Sequence, residues 1–152
     1  MFAYDPSVTF PENRSPKIKF KKWGVVGLPS KDSSYKTLSE IMKLNGHSRT
    51  KISYLKIDIE GHEMGGLPEW LKAGALDNVT QIAIEIHLNP EDRISSTRQF
   101  FKIFQDLHVL GQYRIVNWEA NGCWKNVDLS TKYVDLFEIV LKKISMSDDC
   151  AL

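Results

Sequence analysis

Two segments of the chain set acids and an imidazole at alternate positions. The first carries Asp58 and Glu60, with His62 and Glu63 just past Gly61, and the second carries Glu85 and His87. Alternate residues of an extended strand share a face. Asp58 and Glu60 therefore leave one side of a segment whose other side is Leu55, Ile57 and Ile59. Glu85, His87 and Ala83 likewise lie opposite Ile82, Ile84, Ile86 and Leu88. If the two strands are neighbours, three carboxylates and one imidazole converge. Such a group can take a proton as a general base, clamp a substrate electrostatically, or offer oxygen and nitrogen to a divalent ion. The alternative is structural: Lys56, or the amides of the following turn, neutralise the acids in a strand-end network. Beyond the strand alternation no metal-ligand spacing is visible, so no metal is expected. His62 reads equally as a surface histidine or a base. His47 and His108 fall near helix C-termini, where a dipole contact accounts for them.

The elements that must position these residues alternate along the chain. Phe2-Ala3-Tyr4 reads as the end of a short strand, closed by Asp5-Pro6-Ser7 as turn chemistry. Residues 17–26 alternate and then run apolar, as one strand with lysines on an exposed edge. Thr37 and Glu40 form a capping box ahead of Ile41, Met42 and Leu44, with Asn45-Gly46 as the stop. Residues 52–59 and 81–88 are the two acid-bearing strands. Between them Pro68 suits the first turn of a helix that Gly74 closes. Ser95-Ser96-Thr97 caps the longest helix, in which Phe100, Ile103, Phe104, Leu107 and Leu110 recur at helical spacing and Gly111 is the end. Phe101 joins that aromatic set, which reads as core and not as a stacking platform. Residues 113–119 and 134–142 read as an antiparallel pair, flanked by Trp118 and Trp124 at the ends of the excursion between them. The order is alternating α/β with a C-terminal antiparallel hairpin. In such a sheet the ligand crevice lies beyond the carboxyl ends of the strands, where Asp5, Asp58, Glu60, Glu85 and His87 all fall.

Length and composition set the outer limits. The chain has 152 residues, 42% hydrophobic and 26% charged, enough for one domain that folds without disulfides or a structural metal. Residues 1–145 are expected to form that domain and 146–152 a flexible tail. Twenty basic against nineteen acidic side chains give +1, interspersed, so no nucleic-acid partner is expected. No stretch is apolar for the 18 or more residues that span a bilayer, and no signal peptide is visible at the first residues, leaving the compartment open. Cys123 and Cys150 have no CxxC or histidine spacing and read as two free thiols or a lone disulfide. The triplets Asn13-Arg14-Ser15 and Asn78-Val79-Thr80 are weak glycosylation signals.

The stretch Leu55-Lys56-Ile57-Asp58-Ile59-Glu60-Gly61-His62-Glu63, followed by a short helix and Gln81-Ile82-Ala83-Ile84-Glu85-Ile86-His87, resembles the FkbM-type and animal methyltransferase-like families. The opening Phe2-Ala3-Tyr4-Asp5-Pro6-Ser7 and the segment Lys36-Thr37-Leu38-Ser39-Glu40-Ile41 are similar too, and in the same order. The resemblance implies a Rossmann-like class I methyltransferase fold with S-adenosylmethionine as cofactor and sheet order 3-2-1-4-5-7-6. In that frame Asp5 closes the second strand and bonds the cofactor ribose. Asp58, Glu60, Glu85 and His87 end the fourth and fifth strands and are the catalytic candidates. Glu60, Asp58 or His87 would take the proton of an acceptor hydroxyl, in a small molecule, glycan or lipid, as it attacks the sulfonium methyl in line, and the remaining acids would orient the acceptor. The family's first strand and its glycine-bearing loop belong before Phe2, so the fold here is partial, with the central strand missing. Gly24, Gly27, Gly61, Gly65 and Gly66 do not replace that loop, since none follows the first strand. Cofactor binding by these residues alone is therefore not expected at micromolar concentration. The competing expectation is a non-catalytic α/β interaction domain derived from a methyltransferase.

Overall fold

The computed structural model describes residues 1–9, 15–120 and 136–144. Among them lie eight strands and three helices: β1 (Phe2–Tyr4), β2 (Lys19–Lys21), β3 (Gly24–Val26), β4 (Tyr35–Thr37), α1 (Leu38–Leu44), β5 (Leu55–Ile57), α2 (Glu63–Lys72), β6 (Gln81–His87), α3 (Arg93–Val109), β7 (Tyr113–Ala120) and β8 (Leu136–Lys143). The chain is mixed α/β, with β1 and β2 parallel, β3 and β4 parallel, and a four-stranded sheet in the order β5-β6-β8-β7. In that sheet β5 and β6 are parallel, and β8 and β7 form the antiparallel pair that the hydrophobic alternation predicts.

β6 is the centre of the core. Ile82, Ile84 and Ile86 have no exposed surface, and even Ala83 on the opposite face is buried. A strand hydrogen-bonded on both edges and covered by helices must be apolar on most of its surface, and QIAIEIH is so except at its carboxyl end. α2 packs on α3 and against β6, and contributes Leu67 and Trp70. α3 contributes Phe100, Ile103, Phe104 and Leu107, in keeping with their spacing. Leu110 and Phe101, assigned to the same face in the sequence, are exposed. Leu110 is the C-cap, where the chain has already turned away from the helix face, and Phe101 lies 100° round the helix from Phe100.

Several boundaries differ from the sequence reading, each for a local reason. Residues 17–26 are not one strand. The Trp23 amide donates to the Lys21 carbonyl (2.9 Å), which bends the chain, and Gly24 then pairs with a new partner, the previously unassigned β4. Gly24 is required there, because a Cβ would stand 2.5 Å from the Tyr35 ring. The strand of residues 52–59 contracts to Leu55–Ile57, with Ile52 reduced to a single bridge to Val79. α2 begins at Glu63, not near Pro68, which therefore sits inside the helix. Proline there cannot donate to the carbonyl four residues back, and the Gln99 side chain donates to that Met64 carbonyl instead (3.1 Å). α3 begins at Arg93, with Asp92 as its cap and not Ser95: the Asp92 carboxylate accepts from the Ser95 amide (3.2 Å). The Thr37–Glu40 capping box is present as read.

The β1–β2 pair and the four-stranded sheet do not join. β1 is bonded only to β2 and β5 only to β6, so each keeps one unpaired edge among the described strands. Between those edges runs a cleft of about 390 Å³, bordered by all three residues of β1 and all three of β5. Val25, Leu38, Ile41 and Trp70 complete its apolar wall. The sheet has not re-paired across the position where the resemblance places a central strand. Trp124, Cys123, Cys150, Asn13 and the tail of residues 146–152 lie outside the described residues.

Candidate active site

β5 ends at Ile57, and the next five residues turn the chain into α2. Glu60 (φ 54°) and Gly61 (φ 93°) are consecutive left-handed residues, which glycine adopts freely and glutamate does not. What holds the turn is Glu63. Its side chain is wholly buried, and its carboxylate reaches back to accept from the Ile59 amide (2.8 Å) and the Gly61 amide (3.0 Å). A buried carboxylate so bonded satisfies two backbone donors that the turn would otherwise orphan. It also sits in the first turn of α2, where the helix dipole favours a negative charge.

The parallel register of β5 and β6 does the rest. Leu55 pairs with Ile82 and Ile57 with Ile84, so the turn after β5 lies beside the carboxyl end of β6, where Glu60 reaches His87. His87 is the meeting point. Its Nε2 is 3.6 Å from a Glu60 carboxylate oxygen and its Nδ1 is 3.4 Å from Oε1 of Glu63. One donor atom from each of Asp58, Glu60 and His87 lies within 4.8 Å of the others. Asp58 and Glu60 are exposed and His87 is half-buried, so the cluster opens to solvent beyond the carboxyl ends of β5 and β6.

The fourth strand-end candidate behaves differently. Glu85, one step back along the same face, lies 4.0 Å from the Lys56 ammonium, which sits 2.9 Å from Glu138 on β8. Lys56 lies between two carboxylates that the β6–β8 register places side by side. Asp5 is also apart from the cluster. Its Oδ1 accepts from the Ser7 amide and hydroxyl (both 2.7 Å) and from the Val8 amide (3.1 Å), closing its own turn. Those bonds, the Ser7 hydroxyl first, hold the Asp5 carboxyl below the usual carboxylate range. His62 is exposed and caps nothing with its side chain. His47 packs edge-on against Phe2, and His108, in the last turn of α3, has Nδ1 2.9 Å from the Tyr113 carbonyl. Glu63 is the residue that sequence reasoning noted without assigning. Its signal was available: an acid two positions after a turn glycine, at the start of a helix, is placed to bond back to that turn.

Chemically the cluster is an exposed acid pair around an imidazole, which is itself backed by a fixed carboxylate. That arrangement suits proton acceptance from a ligand hydroxyl and the recognition of cationic or hydroxylated groups. In open α/β sheets the ground beyond parallel strand ends is where ligands bind, and here that ground carries a polar cluster. More narrowly, a family model described as a methyltransferase domain matches residues 5–135, and the chain belongs to that family. Neither the curated proteins nor the solved structures yielded a match. Methyltransferase domains generally use S-adenosylmethionine. No described helix is long and apolar enough to cross a membrane.

Proposed function

We propose that this chain is an FkbM-type, S-adenosylmethionine-dependent methyltransferase domain that methylates an oxygen of a small-molecule, glycan or lipid acceptor. The observation that carries the reading is the convergence of Asp58, Glu60 and His87 beyond the ends of two adjacent parallel strands. Glu60, whose side chain is 87% exposed, is within reach of an acceptor hydroxyl, and it holds the departing proton together with His87. Glu63 keeps the imidazole oriented, and Asp58 orients the acceptor. The Lys56–Glu85 pair sits one step behind and supports the strand ends without touching the acceptor.

The test is methyl transfer from labelled S-adenosylmethionine to a panel of sugar, lipid and phenolic hydroxyls. It uses a protein in which this chain follows an upstream strand and glycine loop. Transfer that falls in Glu60→Gln, with the fold unchanged, supports the reading. Transfer that survives both Glu60→Gln and Asp58→Asn overturns it.

One observation favours a second reading, a non-catalytic interaction domain. The unpaired edges of β1 and β5 border an apolar cleft, and such edges recruit strands from other chains. Inactivity of the extended protein on every acceptor, with full cofactor binding, would favour it.

A further inference from the structure

The sequence carries no metal-binding spacing, yet the fold assembles a set of donors from two strands. We infer that Asp58, Glu60 and His87 form a site for one divalent first-row cation, with Glu63 as the buried carboxylate behind the histidine. The donor atoms lie within 4.8 Å of one another. Around an ion held at about 2.1 Å, neighbouring ligands stand about 3.0 Å apart and opposite ones about 4.2 Å. Asp58 and Glu60 are exposed, and Glu60 is 87% so, so closing the remaining distance requires only rotation of free side chains.

An independent mark is the state of His87. Its Nδ1 is fully buried and has no hydrogen-bond partner, although the Glu63 carboxylate lies 3.4 Å away. Glu63 cannot swing aside, because its two backbone bonds and complete burial fix it. A neutral imidazole has one N–H. Turned to Glu63, that proton leaves the Nε2 lone pair aimed at Glu60, a repulsive arrangement unless a cation stands between them. The Glu63 carboxylate stands on the side of Nδ1 from which an outer carboxylate orients a metal-bound imidazole, although at 3.4 Å it makes no hydrogen bond as the side chains stand. Two carboxylate oxygens and one imidazole nitrogen suit Mn²⁺, Fe²⁺, Co²⁺ or Zn²⁺ better than a soft, thiolate-seeking ion. Net charge agrees: two carboxylates and a neutral imidazole balance a doubly charged ion. The remaining coordination positions face solvent, where a bound hydroxyl becomes more acidic.

The competitor for the same place is a second proton on His87, which would pair with Glu60 and Glu63 together. Isothermal titration and electron paramagnetic resonance of the purified chain with MnCl₂ separate the two. One saturable Mn²⁺ per chain is expected, with affinity falling about tenfold to a hundredfold in Asp58→Asn and in His87→Gln. Asp106→Asn, at a half-buried acid on α3 paired with Lys102, is expected to bind as the unaltered chain does. Glu63→Gln is read alongside circular dichroism, and if it does not fold, Asp58→Asn and His87→Gln decide alone. Absence of saturable binding by the folded chain overturns the inference, as does equal binding by the Asp58 and His87 variants. The readout needs no cofactor and no acceptor, so failure of methyl transfer with intact Mn²⁺ binding would count against the proposed reaction and leave the cation site standing.

Discussion

Asp58, Glu60 and Glu63 lie within six positions of one another and have opposite roles. Glu60 and Asp58 are exposed and hold no part of the backbone, whereas Glu63 is wholly buried and closes the turn between β5 and α2. Their substitutions should therefore separate function from stability. In an active, extended protein, Glu60→Gln and Asp58→Asn are expected to lower methyl transfer by about two orders of magnitude or more, the usual size of a lost general base, and to leave the melting temperature unchanged. Glu63→Ala orphans two amides that now donate to a charged acceptor. It should cost about 3 kcal/mol, read as a lower denaturant midpoint with an unchanged slope. A Glu60→Gln chain that melts early, or a Glu63→Ala chain as stable as the parent, would show that the roles have been assigned the wrong way round. The two left-handed residues at Glu60 and Gly61 exist because this turn must bring a buried acid and an exposed acid to opposite sides of one histidine.

At the scale of elements, α2 depends on a contact that its own sequence does not contain. Pro68 leaves the Met64 carbonyl without an intrahelical donor, and Gln99 from α3 supplies one. Gln99→Ala should destabilise by about 1 kcal/mol, and by measurably less in a Pro68→Ala background, where residue 68 regains its own N–H. Additive losses in that double-mutant cycle would refute the compensation. Tyr113 plays a comparable part at the start of β7: its hydroxyl is shared between the carbonyls of Leu76 (2.8 Å) and Val79 (2.6 Å). Burial first, and Asp77 second, raise its pKa far above the ordinary tyrosine range. A raised folded value leaves stability intact below about pH 10 and removes it as the pH climbs beyond, because the unfolded chain ionises first. Tyr113→Phe should accordingly be less stable at neutral pH yet lose less between about pH 10 and pH 12, measured by melting temperature against pH. These contacts also show what the sequence could disclose. The parity of Asp58, Glu60, Glu85 and His87 was legible because strand alternation is local, and so were the capping box and the face of α3. Pro68 was misplaced because the donor that makes up for its missing N–H, Gln99, lies on another helix, 35 positions from the Met64 carbonyl it bonds. The Lys56–Glu85 contact was named in the sequence only as an alternative, because it depends on strand adjacency, and β4 was missed because three residues, Tyr-Lys-Thr, make a strand only when β3 lies alongside.

For the whole molecule, the division of the sheet decides what the chain can bind by itself. β1 and β5 both end near the candidate crevice, but the cleft between them is open and their facing edges are unpaired among the described strands. A cofactor of the size of S-adenosylmethionine needs hydrogen bonds at its ribose, a cradle for its amino-acid end and a wall for its adenine. The described residues offer the first at most. Asp5 stands at the end of β1, but one of its oxygens already accepts three bonds within its own turn. A charged hydrogen bond contributes about 1.5–3 kcal/mol, whereas a micromolar complex requires about 8 kcal/mol. The deficit of about 5 kcal/mol is too large for scattered contacts along an open cleft, so residues 1–152 should give no detectable heat with S-adenosylmethionine at micromolar concentration. Supplying an upstream strand and glycine loop should do two things together. It should pair the free edges of β1 and β5, raising the melting temperature, and it should create the missing cradle, bringing the dissociation constant into the micromolar range. The two effects are coupled because one strand causes both. A low-micromolar dissociation constant for the chain alone would show that its surfaces already form a complete cofactor site. A rise in melting temperature without any gain in binding would instead assign the cleft to strand docking and separate it from the cofactor.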